Sequence, residues 1–561
     1  MTKLKLLIGQ WLAQTTRKLR NNFYIYLGVL LTLFVLIDAG IFHVGENMRQ
    51  KAFDLMVRSR LIMPKPDKDI VIVDINEASL AAMAKDFGRY PWPRQVFGEF
   101  LENIEAQNPK AIIFDILFSD ADVANPDSDA YFDNAIVATN NTFFPFIRLS
   151  EDQDRLSNVT PSMIPGVKEM IPDKADKKAT MSVILPYFPA AINSGRLGFN
   201  NIYPDKDGIV REYNLYRNDY GWKVPSLPFS VGIMLGYNLP DKQNFLLNWR
   251  GKPFTYHYVT FSDVMLDLSS KEKKRPQNEF TGKTVIIGST APSLFDLKAT
   301  PMAKIYPGVE VLATAIDNVK HGDYLRVWRG ALSYILFSLL LIWSTAAAFY
   351  KQVDRDKLNK IFSSSQIGLL IISYVIINVT NTYLDLSGPI IWAVAYFSIA
   401  KVYALANDLA LQRWLAFGVK MSEGGSKALI MPILVESKEP LGDALLKKLK
   451  RRIELSCKTP NTVDVLKGSQ SGIWGLFGDM AVVCWTYADK QEEYEKQAKN
   501  DADQLASQMS LILIDIGLPG NTKIRYTKHE GGLAHGIPLA NQWRSLFAQA
   551  VIKLEHMGRE E

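Results

Sequence analysis

The sequence predicts a multi-pass membrane protein: an exported α/β domain, four transmembrane helices and an α+β tail in ferredoxin-like order. Three observations carry this prediction. Apolar residues make up 48% of the 561, yet mean hydropathy is close to zero, so the apolarity is gathered into stretches diluted by polar segments. Four of those stretches are long enough, at about 1.5 Å rise per residue, to cross a hydrocarbon core of roughly 30 Å. The remaining segments alternate β-branched runs with stretches of helical spacing, which is the pattern of mixed α and β structure.

Residues 1–22 carry Lys3, Lys5, Arg17, Lys18 and Arg20 without an acid. The first apolar stretch, residues 23–44, has Asp38 as its single charge. A basic flank before an apolar run also describes a cleaved signal peptide, but this run is longer than a signal core and no small-x-small site closes it. The other three stretches, residues 328–350, 361–383 and 386–406, form a group with short polar links. The link after the second holds Lys351, Arg355, Lys357 and Lys360, whereas the link after the third holds Asp385 and no base. Lysine and arginine mark the inner side, and Lys401 can snorkel to the inner headgroups. Both termini are therefore expected inside, with residues 45–327 outside and residues 407–561 inside. Cys457 and Cys484, the two cysteines, then share the reducing side, and neither lies at a metal or redox spacing. Disulfide scaffolds and zinc ribbons are excluded. A net charge of +6, thinly spread, argues against a nucleic-acid binder.

Within the exported segment, Asp69–Ile75, Ala111–Phe118 and Lys283–Gly288 read as buried strands, and Pro93–Ala106 and residues 308–319 read as helices. A parallel crossover is expected between the first two strands. Asp74 and Asp115 fall near the carboxyl ends of strands taken as neighbours, where open α/β sheets place ligands; the bland reading, which is the expectation, is a buried Asp capping a loop. In Pro91-Trp92-Pro93-Arg94, proline presets the backbone for a helix start with Trp92 as a core plug. The alternative is that Trp92 and Arg94 grip an anionic or planar ligand. Asp205-Lys206-Asp207-Gly208 begins like a calcium loop but lacks the later bidentate glutamate, so a tight turn is expected. The six histidines form no metal pair at helical spacing.

These residues resemble the CHASE2 extracellular sensory domain of bacterial transmembrane signalling proteins. The likeness runs through FDLMVR (residues 53–58), IVIVDINEASL ending at Leu80, PWPR (91–94), AIIFDILFSDAD (111–122) and GFNNIYPDKDGIVRE (198–212). It continues through VPSLPFSV (224–231), NWRGKP (248–253), GKTVIIGSTAPSLFDLKATP (282–301) and PGVEVLATAIDNV (307–319), followed by a trailing group of three apolar helices. The resemblance implies a periplasmic input domain feeding a cytoplasmic output across a bacterial inner membrane. The family's ligands are largely undefined, so none is carried over.

The tail opens on a connector, residues 407–419, expected to continue the fourth membrane helix. Then come a strand at 428–435, a basic helix at 441–455, a hairpin of 472–477 and 481–486 turning at Gly478-Asp479-Met480, a helix at 491–514, a strand at 523–527 and a helix at 538–557. Strand, helix, hairpin, helix, strand is the ferredoxin-like order. That order, with GIWGLFGDMAVVCW, looks like the core of class III nucleotidyl cyclases, which implies Asp479 as a metal-binding residue. The family's first metal Asp is missing: ILVESKEP offers Glu436 and Glu439 without an FxDI pattern, and the Asn and Arg that steady the phosphoryl group are not recognisable. A non-catalytic, partner-binding tail is expected, with no cofactor; magnesium or manganese enters only if the tail is a working cyclase. The leading expectation is an inner-membrane sensor and signal transducer. The alternatives are an active adenylate or guanylate cyclase and a structural subunit of an envelope protein complex. Expected partners are membrane lipid, a periplasmic ligand or protein, and a second copy or an envelope complex, but no nucleic acid.

Overall fold

The computed structural model describes residues 22–42, 46–270, 272–294, 296–328, 330–351, 353, 355–418, 426–436, 443–458, 461–466, 479–488, 492–517, 522–533 and 539–557. They form two compact units: residues 38–337 with 361–389 in one, the remaining described residues in the other.

The larger unit is built on one mainly parallel sheet. Its strands are β1 (Ile70–Asp74), β2 (Ala111–Phe114), β3 (Thr142–Arg148), β4 (Val183–Ile184), β5 (Leu197–Phe199), β6 (His257–Thr260) and β7 (Thr284–Gly288). The order is β6-β1-β7-β2-β3-β4, with β5 also on β3 and only β4 antiparallel. β1 is buried along its whole length, and period-2 alternation splits it between two cores, Ile70 and Ile72 on one face, Val71 and Val73 on the other. The first face is covered by helix α2 (Glu46–Arg58), the helix Leu227–Met234 and, far along the chain, Gly308–His321; the second face is covered by α3 (Glu77–Phe87), α4 (Arg94–Glu105) and α5 (Pro126–Val137). Asn76 caps α3 by accepting from Ser79 N. The helix Gly308–His321, α6, ends at Gly322, whose φ of 62° gives the left-handed stop that glycine adopts without strain.

Two sequence expectations need correction. β1 and β2 are not neighbours, because β7, the last strand to be synthesised, lies between them. The second strand also stops at Phe114 rather than Phe118: Asp115 N still reaches Ile287 O at 2.7 Å, after which β7 itself ends at Gly288.

Four helices among the described residues are long and apolar enough to cross a membrane: Phe23–Phe42, Ala331–Tyr350, Asp356–Val379 and Ser387–Leu405. The first is α1 (Phe23–Ile37) with a π turn at Asp38–Phe42; the others lie in α7 (Gly330–Tyr350), α8 (Arg355–Val379) and α9 (Ser387–Gly418). Asp38 is buried and accepts a 2.6 Å hydrogen bond from the Tyr334 hydroxyl. α8 stops four residues before the apolar stretch does, because Thr382–Tyr383 leaves it to pair in parallel with Arg326–Val327. α9 runs on through residue 418, as expected of the connector, while Val419 lies outside the described residues.

The tail's sheet contains β8 (Ser426–Glu436), β9 (Asn461–Leu466), β10 (Asp479–Ala488), β11 (Lys523–Tyr526) and β12 (His529–Gly532), all antiparallel, in the order β9-β10-β8-β11 with β12 also on β8. The gap between β11 and β12 falls opposite Met431 and Pro432, where proline has no N–H to offer. Leu429, Met431 and Ile433 pack under α10 (Asp443–Ser456) and α11 (Glu492–Ile516); Ala428 and Ile430 pack under α12 (Leu539–Met557). The hairpin differs from the expected one. Residues 472–477 lie outside the described residues, the partners of β10 are β8 and β9, and Asp479 and Met480 belong to the strand rather than to a turn.

Candidate functional site

At the carboxyl end of the large sheet, Asp74 closes β1 with its side chain buried. It accepts hydrogen bonds from Thr290 N (2.9 Å) and Thr290 Oγ1 (2.7 Å) on the loop after β7. Burial raises its pKa, and the two Thr290 bonds work against that. Asp115, one residue past β2, accepts from Asn200 Nδ2. Burial first, and then the nearby Asp296 carboxylate, push Asp115 well above the ordinary carboxylate range. Asp296 closes over the start of α6: Gly308 N donates to Asp296 O at 2.9 Å, and a Cβ on Gly308 would sit 2.1 Å from Asp296 Oδ2. Any Cβ there would push the Asp296 carboxylate aside. Asp74 and Asp115 thus flank β7, each held by groups on neighbouring loops.

Trp92 is 1% exposed. Its ring stacks on Phe261 at 5.4 Å and meets Tyr90 edge-on at 5.3 Å. Arg94 opens α4, with its guanidinium 5.2 Å from the centre of the Phe118 ring and Nη1 3.5 Å from Trp92 O. The structure therefore brings Trp92 together with Arg94, and places Asp74 and Asp115 on either side of one strand; among the described residues no hydrogen bond joins the two pairs.

Three buried arginines organise the unit, and none was named as a site from sequence. Arg148 binds Asp154 (2.6 Å) and Asp219 (2.9 Å). Arg211 binds Asp54 (2.8 Å), Asp205 (2.6 Å) and Asp207 (2.7 Å). This accounts for the 205–208 segment as the expected tight turn: Gly208 N donates to Asp205 O, and both carboxylates face a guanidinium. The available signal was an arginine four residues beyond Asp207, directly after Ile209 and Val210.

Arg250 holds Asp317 on α6 (2.7 Å) and Asp323 just beyond it (2.7 Å). Asp317 also accepts from Tyr256 Oη (2.8 Å) and Asp67 N (3.0 Å), and lies 2.9 Å from His321 Nδ1. Burial alone would raise the Asp317 carboxyl, but Arg250's bonds and charge outweigh it and hold the group below its ordinary value. Asp67, Asp317 and His321 offer donor atoms within 4.8 Å of one another. Arg250 and Lys320, the latter 2.5 Å from Asp67, already bring two cations into the cluster, so the geometry fits an ion-pair network better than a metal centre.

From this network hydrogen bonds run to the ends of the apolar helices. Asn248, beside Arg250, receives Arg60 Nη1 (2.7 Å) and donates to Asp323 O (2.7 Å) and Asn381 Oδ1 (3.4 Å). Arg326 N donates to Asn381 O (2.8 Å), Trp328 N to Tyr383 O (3.2 Å), and Asn378 Oδ1 accepts from Leu61 N (2.8 Å) and Ile62 N (3.2 Å). The end of α6, the entry to α7 and the exit of α8 form one collar. In the tail, the register sets Val435 opposite Asp479 and Glu436 opposite Lys523, which brings Glu436 and Asp479 to the same end of neighbouring strands. The side chains of both, and all of Glu439, lie outside the described residues.

A family model, that of the CHASE2 domain, matches residues 28–349. No curated protein and no solved structure matches the chain.

Proposed function

The chain belongs to the CHASE2 domain family, and on that premise we propose that it is an inner-membrane sensor whose periplasmic domain acts through its apolar helices on a cytoplasmic, non-catalytic tail. The observation that carries this reading is the collar. A sensor can pass on a signal only if occupancy of its domain biases the arrangement of the helices that leave it. Here the last sensor helix, α6, is joined through the buried Arg250–Asp317 pair and the hydrogen bonds of Asn248, Asn381 and Arg326 to the entry of α7 and the exit of α8. The basic N-terminus and the Lys351–Lys360 link support a cytoplasmic side for both termini. The tail's β-α-β-β-α-β order and its β9-β10-β8-β11 sheet support the ferredoxin-like reading.

The test compares tail-tagged full-length protein with an Asn381→Ala variant, each recovered from native membranes with its partners quantified by mass spectrometry. A transducer loses or gains tail partners when the collar is cut while its own level stays constant. An unchanged partner set would instead favour a structural subunit of an envelope complex.

The pairing that sets Glu436 beside Asp479 favours a second reading, a class III cyclase using magnesium or manganese. With ATP or GTP and manganese, the purified full chain is expected to form no cyclic nucleotide; product that disappears in Asp479→Asn would establish the cyclase instead.

A further inference from the structure

A cavity of about 460 Å³ lies between β3, the loop before β5, the small antiparallel sheet of Lys168–Glu169, Tyr216–Asp219 and Trp222–Pro225, and the helix Leu227–Met234. Its size falls within the usual range for small-molecule sites, roughly 300–1,000 Å³. Two features of its wall are costs to the empty protein. Lys168 and Lys223 are paired directly across the ladder, which puts two ammonium groups on one face. Like charges so placed destabilise a sheet. Among the described residues no carboxylate lies within ion-pair distance of either lysine; Lys223 rests over the Tyr216 and Phe229 rings at 4.3 and 5.4 Å. Arg196 adds a third cation, anchored through Nε to Thr142 O (2.8 Å) and Nη2 to Thr139 O (3.0 Å). Glu169, the acid in the lining, is engaged elsewhere, accepting from Asp173 N at 2.6 Å with Lys177 at 3.9 Å. The second feature is apolar: Ile233 and Met234 are 55% and 45% exposed beside the Phe229 ring.

We propose that this cavity binds a small organic acid, its anionic head between Lys168 and Lys223 and its apolar body against Phe229, Ile233 and Met234. Such a ligand places a negative charge between the opposed lysines, offsetting their repulsion, and covers the exposed apolar side chains at the same time. The cavity's position deepens the sensor reading and rests on that reading for its consequence. The helix Leu227–Met234 faces the cavity with Phe229, Ser230, Ile233 and Met234, and at Gly232 it approaches α6 so closely that a Cβ would fall 2.9 Å from Val319 Cγ1. Val319 is two residues beyond Asp317, the centre of the collar network. A ligand that sets this helix sets the packing of α6.

The probe is 4-phenylbutyrate, titrated calorimetrically into the full chain in phosphatidylcholine nanodiscs, with acetate and 4-phenylbutylamine as charge and shape controls. Saturable one-to-one binding is expected for 4-phenylbutyrate, and binding at least about tenfold weaker for both controls. Lys168→Gln combined with Lys223→Gln is expected to weaken it by about tenfold or more while raising the thermal midpoint of the empty protein, because the repulsion is gone; Lys223→Arg keeps the affinity. Ile233→Glu, at an exposed position that tolerates a polar side chain, is expected to abolish binding. Equal binding of the amine, undiminished affinity in the double glutamine variant, or no saturable binding of 4-phenylbutyrate would overturn the proposal. Failure here leaves the partner comparison with Asn381→Ala untouched, and failure of that comparison leaves the titration readable, so the two readings fall separately.

Discussion

Asp115 shows how one residue's surroundings set a pH dependence. Its neighbours are Asn200, which donates to it, the Asp296 carboxylate and the Lys298 ammonium. Burial and Asp296 raise its pKa in the folded chain above the unfolded value, so the folded state binds a proton more tightly. Stability from this group is full below the unfolded carboxylate pKa and declines as pH rises through the higher folded value. Asp115→Asn removes the charge and leaves an acceptor for Asn200. The variant should melt above the wild type at pH 8, by a few degrees at most, and the advantage should vanish near pH 4. Thermal unfolding of the full chain across that range checks it; a gain that is largest at low pH would contradict the assignment.

At the scale of elements, the Arg250 and Asp317 pair ties the loop around residues 248–255 to α6. Glu310 adds a second tie, accepting from Phe254 N (2.7 Å) and Thr255 N (2.9 Å) at the first turn of the same helix. Both ends of α6 are thus pinned to one loop. Arg250→Met strands a buried carboxylate and should cost about 3–5 kcal/mol. Asp317→Asn on that background removes the stranded charge and should recover part of the loss. Denaturant unfolding of the full chain measures both; a single variant as stable as wild type, or a double variant less stable than the single, would show that the pair does not hold the loop to the helix. The segment was partly legible in advance, since Asp317-Asn318 interrupts an apolar helical run and a polar pair on a buried face needs partners. Which partners was not legible, because Arg250 lies far back in the chain.

For the whole molecule, the four apolar helices and the position of basic residues lead to the topology proposed above. Lys206→Cys, exposed on the 205–208 turn, and Asn500→Cys, exposed on α11, give one reporter in each large polar segment, with Cys457 and Cys484 replaced by serine and alanine as background. An impermeant thiol reagent applied to intact cells should label position 206 and spare position 500, while both should label after lysis. Labelling of position 500 in intact cells would reverse the orientation.

What the sequence determined by itself was local or repeated: four apolar stretches, the buried β-branched runs at 70–74 and 284–288, the helix after Pro93, and the motifs that resemble the CHASE2 domain, which the family match bears out. Each depends on periodicity or on residues close together in the chain, and a physical rule reads such patterns directly. Tertiary structure alone decided that β7 separates β1 from β2, that β9 pairs with β10, and that α8 ends at Val379 while Thr382–Tyr383 forms a two-residue ladder with Arg326–Val327. It also decided that Trp92 is packed against Phe261 and that Lys168 and Lys223 face one cavity. These are choices of partner between segments distant in sequence. Several partners of equal hydrophobicity satisfy the same local pattern, and only the packing of the complete chain selects among them.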